Sequence, residues 1–103
     1  MVIVVCAELD KSGFYRGKVV TDKSNWYMYD VALAAQNLVL AAHSLGLGTV
    51  HVGAFDAQKV ARILEVPQGA VVVIMTPLGY PSRQGRTSPW KELSELVSYE
   101  TFG

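Results

Sequence analysis

Apolar residues fall into three runs, separated by polar stretches that contain glycine. Met1 to Ala7 is nearly all β-branched (Val2, Ile3, Val4, Val5), the pattern of a strand covered on both faces. Glu8 to Asn25 holds Asp10, Ser12, Gly13, Gly17 and Asp22 and predicts a loop. Behind an aromatic entry of Trp26, Tyr27 and Tyr29, the residues from Tyr27 to Leu45 place Leu, Val and Ala on nearly every side of a helix. A helix apolar all round is buried all round, and its alanines let other backbones come close. Gly46 ends it as a left-handed cap. Thr49 to Val52 predicts a short strand. Asp56 predicts the N-cap of a helix from Ala57 to Glu65, with Val60, Ile63 and Leu64 toward the core. Pro67 and Gly69 close that helix, and Ala70 to Thr76 is a second fully apolar strand. A loop from Pro77 to Pro89 follows, then an amphipathic segment from Trp90 to Val97 and a tail through Phe102. The order β-α-β-α-β plus tail, without repeats, predicts one domain over residues 1–103, with helices layered on a small sheet.

Composition narrows the function classes. At 103 residues the chain has the length of a single domain, and with 50% apolar residues it is no disordered tail. Nine Lys+Arg balance nine Asp+Glu, so no basic excess draws it to nucleic acid. Small domains have much surface per volume, so this apolar share predicts that a partner chain covers part of the surface. Cys6 is the single cysteine; it allows no disulfide framework and no cysteine metal site, and reads as a small hydrophobe in a buried strand of a cytoplasmic protein. No basic region precedes the first apolar run, so no signal peptide is expected. Val31 to Phe55 lacks Asp, Glu, Lys and Arg, but Gln36, Asn37, His43, Ser44, Gly46 and Gly48 interrupt it. A core helix and strand fit that segment better than a membrane span.

Few residues carry chemistry on their own. The glycines from Gly46 to Gly53 do not form a dinucleotide fingerprint, because Gly46 and Gly48 close a helix and lead into a strand. Gly53 differs: it follows a strand and precedes an Asp-capped helix, where amides face either a ligand or a plain turn. His43 and His51 stand in no metal-ligand spacing, so no metal site is expected. No serine sits in a nucleophile-elbow context and no carboxylate pair suggests glycosidase chemistry, so no catalytic side chain is assigned. Asn37, mid-helix among apolar residues, needs a hydrogen-bond partner. Arg83 and Arg86 in a glycine-containing loop are either solvated or placed to grip a phosphate.

The block from Asp30-Val31-Ala32 through Ala35-Gln36-Asn37-Leu38 and Gly46-Leu47-Gly48-Thr49-Val50-His51-Val52-Gly53 resembles the central helix and following strand of nitroreductase-family flavoproteins. Ala70 to Pro81, ending Thr76-Pro77-Leu78-Gly79-Tyr80-Pro81, is similar to that family's next strand and turn, and Glu95 to Glu100 fits its tail. The resemblance implies an α+β fold, with a mixed, mainly antiparallel sheet flanked by helices. It also implies an intertwined homodimer that binds FMN at its interface. The activity it implies is hydride transfer from NAD(P)H through the flavin to a nitroaromatic, quinone or similar small-molecule acceptor. By position, His51, Val52 and Gly53 would line the isoalloxazine, and Arg83 and Arg86 would approach the flavin phosphate. The family's N-terminal half, with an Arg-x-Ser-x-Arg-type phosphate clamp, has no counterpart in these residues, so the expectation is a short form. The rival expectation is a catalytically weak dimeric binding module.

Overall fold

Eight elements succeed one another in the computed structural model, which describes residues 1–103. They are β1 (Val2–Glu8), β2 (Phe14–Tyr15), β3 (Lys18–Val19), α1 (Tyr27–Ser44), β4 (Gly48–Thr49), α2 (Ala57–Ile63), β5 (Ala70–Gly79) and α3 (Leu93–Leu96). The main sheet has the order β1-β5-β4, and both of its pairings are antiparallel. Helix α1 packs on all three of its strands, and α2 packs on β5. The result is the α+β class, because no parallel crossover links neighbouring strands.

β5 is the central strand, and it outruns the expected end at Thr76. A proline normally leaves a ladder because it has no N–H. Pro77 stays in this one because its carbonyl accepts from the Val50 N–H at 3.3 Å, and the next residue, Leu78, donates to the Met1 carbonyl at 2.9 Å. β1 is an edge strand rather than one covered on both faces, and its residues are half-buried or exposed. A bulge falls between Val5 and Cys6, where Val5 faces Ile74 and Cys6 faces Val72. The Cys6 thiol is free and exposed, contrary to the buried position expected for it.

The polar stretch before α1 is not all loop. Phe14–Tyr15 pairs with Lys18–Val19 across Arg16 and Gly17, both at positive φ (49° and 75°). Two consecutive positive φ values give the tight turn whose twist suits a hairpin. Trp26 follows and anchors the start of α1. Its indole N–H donates to the Thr21 hydroxyl at 2.9 Å, and its ring meets Tyr29 edge to face at 5.5 Å.

α1 ends as expected. Gly46 has φ +77°, its N–H donates to the His43 carbonyl, and the Leu47 N–H reaches back to Ala42. This pair of bonds satisfies carbonyls that the last turn would otherwise leave open. The Asp56 carboxylate caps α2 by accepting from the Lys59 N–H at 2.9 Å. α2 is two residues shorter than expected, because Glu65 adopts the left-handed conformation (φ 53°) just past its end. Of the segment Trp90 to Val97, only Leu93–Leu96 is helical, under a capping box of Glu92 and Glu95.

α1 is buried along one stripe, not all round. Val31, Ala35 and Ala42 are buried against the sheet. Tyr29, Leu33 and Leu40 lie on the opposite side at 100° per residue and are each more than half exposed. Asn37 shares that outer side and is exposed, so solvent rather than a core partner reaches its amide. No helix is long and apolar enough to cross a membrane.

Only five of 103 residues are buried, and the accessible surface is 8821 Å². A folded monomer of this mass exposes about 5,700 Å² and has a radius of gyration near 13 Å. The chain's radius is 17.4 Å, and its extents of 45 × 43 × 23 Å describe a flat slab. Its apolar surface exceeds what it can cover by itself.

Candidate functional site

The segment His51–Gly53 runs along the outer edge of the sheet, beyond β4. The ladder begun by Gly48↔Gly79 and Thr49↔Leu78 continues in the same register to a bridge between Val52 and Met75. Val52 and Met75 exchange two backbone bonds, at 2.8 and 3.1 Å. In an antiparallel ladder the residues on either side of such a pair turn their N–H and C=O groups away from the partner strand. Val52 therefore has its amide committed to the sheet and is half-buried. His51 and Gly53 direct theirs to the open edge, where neither N–H has a backbone partner.

His51 is directly opposite Thr76, and such non-bonded pairs bring side chains closest. The His51 Nδ1 is 3.1 Å from the Thr76 hydroxyl. Thr76 is the most deeply buried residue of the chain, at 1% exposure, while His51 is exposed. At Gly53 an added Cβ would meet nothing within 4 Å, so the space beside this edge is open.

A broad concavity of about 980 Å³ lies at the end of β5. Gly48, Thr49 and Val50 form one wall, Pro77 to Tyr80 the floor, and Arg83 the rim, with no acidic residue in the lining. The site residues expected from sequence are thus divided. Arg83 lines the concavity, Arg86 does not, and His51, Val52 and Gly53 follow directly on its wall residue Val50 without lining it. Both arginines are exposed, and neither is ion-paired, since the chain's one salt bridge joins Lys23 to Asp22. No three His, Cys, Asp or Glu side chains converge to hold a metal ion.

Sequence reasoning passed over Thr76, which closes an apolar strand and looks like its polar end. Its signal is the register: only pairing β5 with the residues after β4 sets that hydroxyl against His51.

An open edge with free N–H groups, beside a concavity free of carboxylates, suits a ligand with hydrogen-bond acceptors at one end and an anionic group at the other. The Nitroreductase family model matches residues 1–80. A putative NADH dehydrogenase/NAD(P)H nitroreductase from Methanothermobacter thermautotrophicus is 35% identical over 66 residues, covering 60% of this chain and 35% of the relative. An FMN reductase (NADPH) from Bacillus subtilis is 33% identical over 64 residues, covering 60% of this chain and 26% of that protein. Among solved structures, a nitroreductase family protein from Clostridium difficile superposes with a TM-score of 0.82 at 26% identity, over 98% of this chain and 59% of the other. The chain therefore spans well under two thirds of the length of the proteins it matches. With a family match over most of its residues and the same fold throughout, this chain belongs to the nitroreductase family.

Proposed function

We propose that the chain is the flavin-edge portion of an FMN-dependent oxidoreductase that moves hydride from NAD(P)H to a nitroaromatic, quinone or similar acceptor. The single observation that carries this reading is the open sheet edge at His51–Gly53, whose outward N–H groups have no partner within the chain. Relatives bearing names such as FMN reductase (NADPH) and NADPH-flavin oxidoreductase support it. When bound, the flavin supplies the two-electron chemistry, and the protein supplies orientation and electrostatics.

The residues present fit that group. The edge amides of His51 and Gly53 would donate to the acceptor atoms of the isoalloxazine, and the absence of a Cβ at Gly53 leaves room for a flat ring. Arg83, uncommitted to any carboxylate, would face the phosphate across the concavity, with Arg86 from the same loop as the second cation. An arginine fork makes two parallel bonds to one phosphate group. A second copy of the chain would cover the outer side of α1, giving a homodimer. The exposed free thiol of Cys6 suits a reducing cytoplasm.

The test is optical. The visible absorption spectrum of the purified protein, before and after addition of FMN, should show a bound flavin. Riboflavin, which lacks the phosphate, separates the contributions. Changing Arg83→Ala together with Arg86→Ala should weaken FMN by about tenfold or more and leave riboflavin nearly unchanged, as loss of a charge-assisted pair costs on the order of 2 kcal/mol. Parallel losses for both flavins, or none, would return the arginines to the solvated surface. A protein that binds neither flavin would be a dimeric binding module instead.

A further inference from the structure

The pair His51–Thr76 has more content than a contact. Thr76 is 1% exposed, and its hydroxyl has one hydrogen-bond partner, Nδ1 of His51 at 3.1 Å. A hydroxyl has one proton and two lone pairs, whereas a neutral imidazole has one N–H and one bare nitrogen. Two arrangements satisfy the distance. If Nδ1 held the proton and donated it, the Thr76 O–H would be left buried with nothing to receive it, a cost of about 1–3 kcal/mol. If the hydroxyl donates to a bare Nδ1, only acceptor capacity is left unused, which proteins tolerate more readily. The second arrangement wins, and it puts the imidazole proton on Nε2, at the edge of the ring away from Thr76 and toward solvent.

We infer that Thr76 is a positioning residue that fixes neutral His51 in the Nε2–H tautomer, making its ring an outward hydrogen-bond donor. That donor stands over one face of the sheet, beside the edge to which His51 and Gly53 turn their backbone N–H groups. The outward N–H groups of His51 and Gly53 alternate with their carbonyls, and the Nε2–H adds a further donor, suited to a ligand with carbonyl oxygens and bare ring nitrogens, as the pyrimidine side of a flavin has. This ligand assignment rests on the flavin-binding reading given above. The tautomer itself does not.

Long-range ¹H–¹⁵N correlation spectra at pH 8.5, above the ordinary histidine range, read the tautomer directly. The chain has two histidines, and His43→Gln assigns the signals. The expected result is a pyridine-type Nδ1 and a pyrrole-type Nε2 for His51. Thr76→Val, which keeps the shape and removes the hydroxyl, should give a mixture of tautomers, and Thr76→Ser should restore the single form. A wild-type Nδ1–H tautomer, or an unchanged spectrum in Thr76→Val, would overturn the inference. FMN titration supplies the ligand arm. His51→Phe should raise the dissociation constant about five- to tenfold, whereas Thr76→Val, which leaves part of the population in the donor tautomer, should raise it about twofold and add nothing further in the double variant, while Thr76→Ser binds as wild type. Failure of wild type to bind FMN would refute the proposed function and, with it, the ligand assignment, leaving the tautomer to stand or fall on the spectra. Normal FMN binding by both variants would refute the ligand assignment alone.

Discussion

The outer side of α1 offers the sharpest test of how this chain completes its core. Leu33 and Leu40 are 53% and 56% exposed on the side of the helix facing away from the sheet. Fully burying a leucine side chain is worth about 1.5–3 kcal/mol, so covering the remaining half contributes roughly 1 kcal/mol per residue. In a symmetric dimer each residue counts twice, so the two leucines together contribute about 4 kcal/mol to association. Changing Leu33→Asp together with Leu40→Asp removes that contribution and adds the cost of placing carboxylates in an apolar contact. The dimer dissociation constant should therefore rise by at least about a thousandfold. The milder Leu40→Ala should raise it by roughly thirtyfold. Sedimentation equilibrium from nanomolar to micromolar protein reads both, with far-UV circular dichroism confirming that the helix persists. A wild-type protein that is a well-folded monomer at micromolar concentration would refute the reasoning, as would a double variant that associates as tightly as wild type.

Three further outcomes follow from local geometry. Gly53→Val should weaken FMN binding more than tenfold without loss of fold, because an added Cβ meets no protein atom and any penalty comes from the ligand; fluorescence titration reads it. At Gly13 (φ +85°) a Cβ would fall 2.4 Å from the Ser24 carbonyl oxygen and from the Trp26 ring, whereas at Gly17 (φ +75°) it meets nothing. In urea unfolding, Gly17→Ala should cost about 1 kcal/mol from backbone strain alone, and Gly13→Ala at least about 1 kcal/mol more, because backbone must move. The ends of α2 should respond in opposite directions: Asp56→Ala loses its cap bond and about 1 kcal/mol, while Glu65→Gly relieves a left-handed φ of 53° and gains about 0.5 kcal/mol in thermal unfolding.

The parts of this fold legible in the sequence were those fixed by local rules. The Gly46 and Asp56 caps, the aromatic entry to α1 and the three main strands each depend on a few neighbouring residues. What escaped depends on pairing across the chain. Composition cannot distinguish an edge strand from a central one, so Met1 to Ala7 looked doubly covered and Cys6 looked buried. The hairpin of β2 and β3 has strands of two residues, too short to set up an alternating pattern. Pro77 looked like a strand end because its carbonyl partner, Val50, lies far away in sequence. The all-round apolarity of α1 predicts a helix buried on every side, but its three buried positions show that this chain covers it on one side only. At the site, the resemblance pointed to His51, Val52 and Gly53, yet only the register tells which of their amides face outward and that Thr76 is their neighbour.

Pro77 has one more consequence. Opposite it, the Val50 carbonyl has no ladder N–H to meet, so a rung is missing between Thr49 and the doubly bonded Val52. The edge segment is therefore pinned at both ends and slack in the middle, where one 3.3 Å bond from the Val50 N–H is the remaining backbone tether. Amide exchange should be slow at Val52 and Met75 and faster at Val50. The Val50–His51 peptide plane, whose carbonyl faces the proline and whose N–H faces the open edge, can tilt without breaking a backbone bond while the neighbouring rungs hold. Thus the imidazole can rise or settle toward an arriving ligand without the sheet opening: a proline in the central strand makes its neighbour compliant at the point where a ligand would press on it.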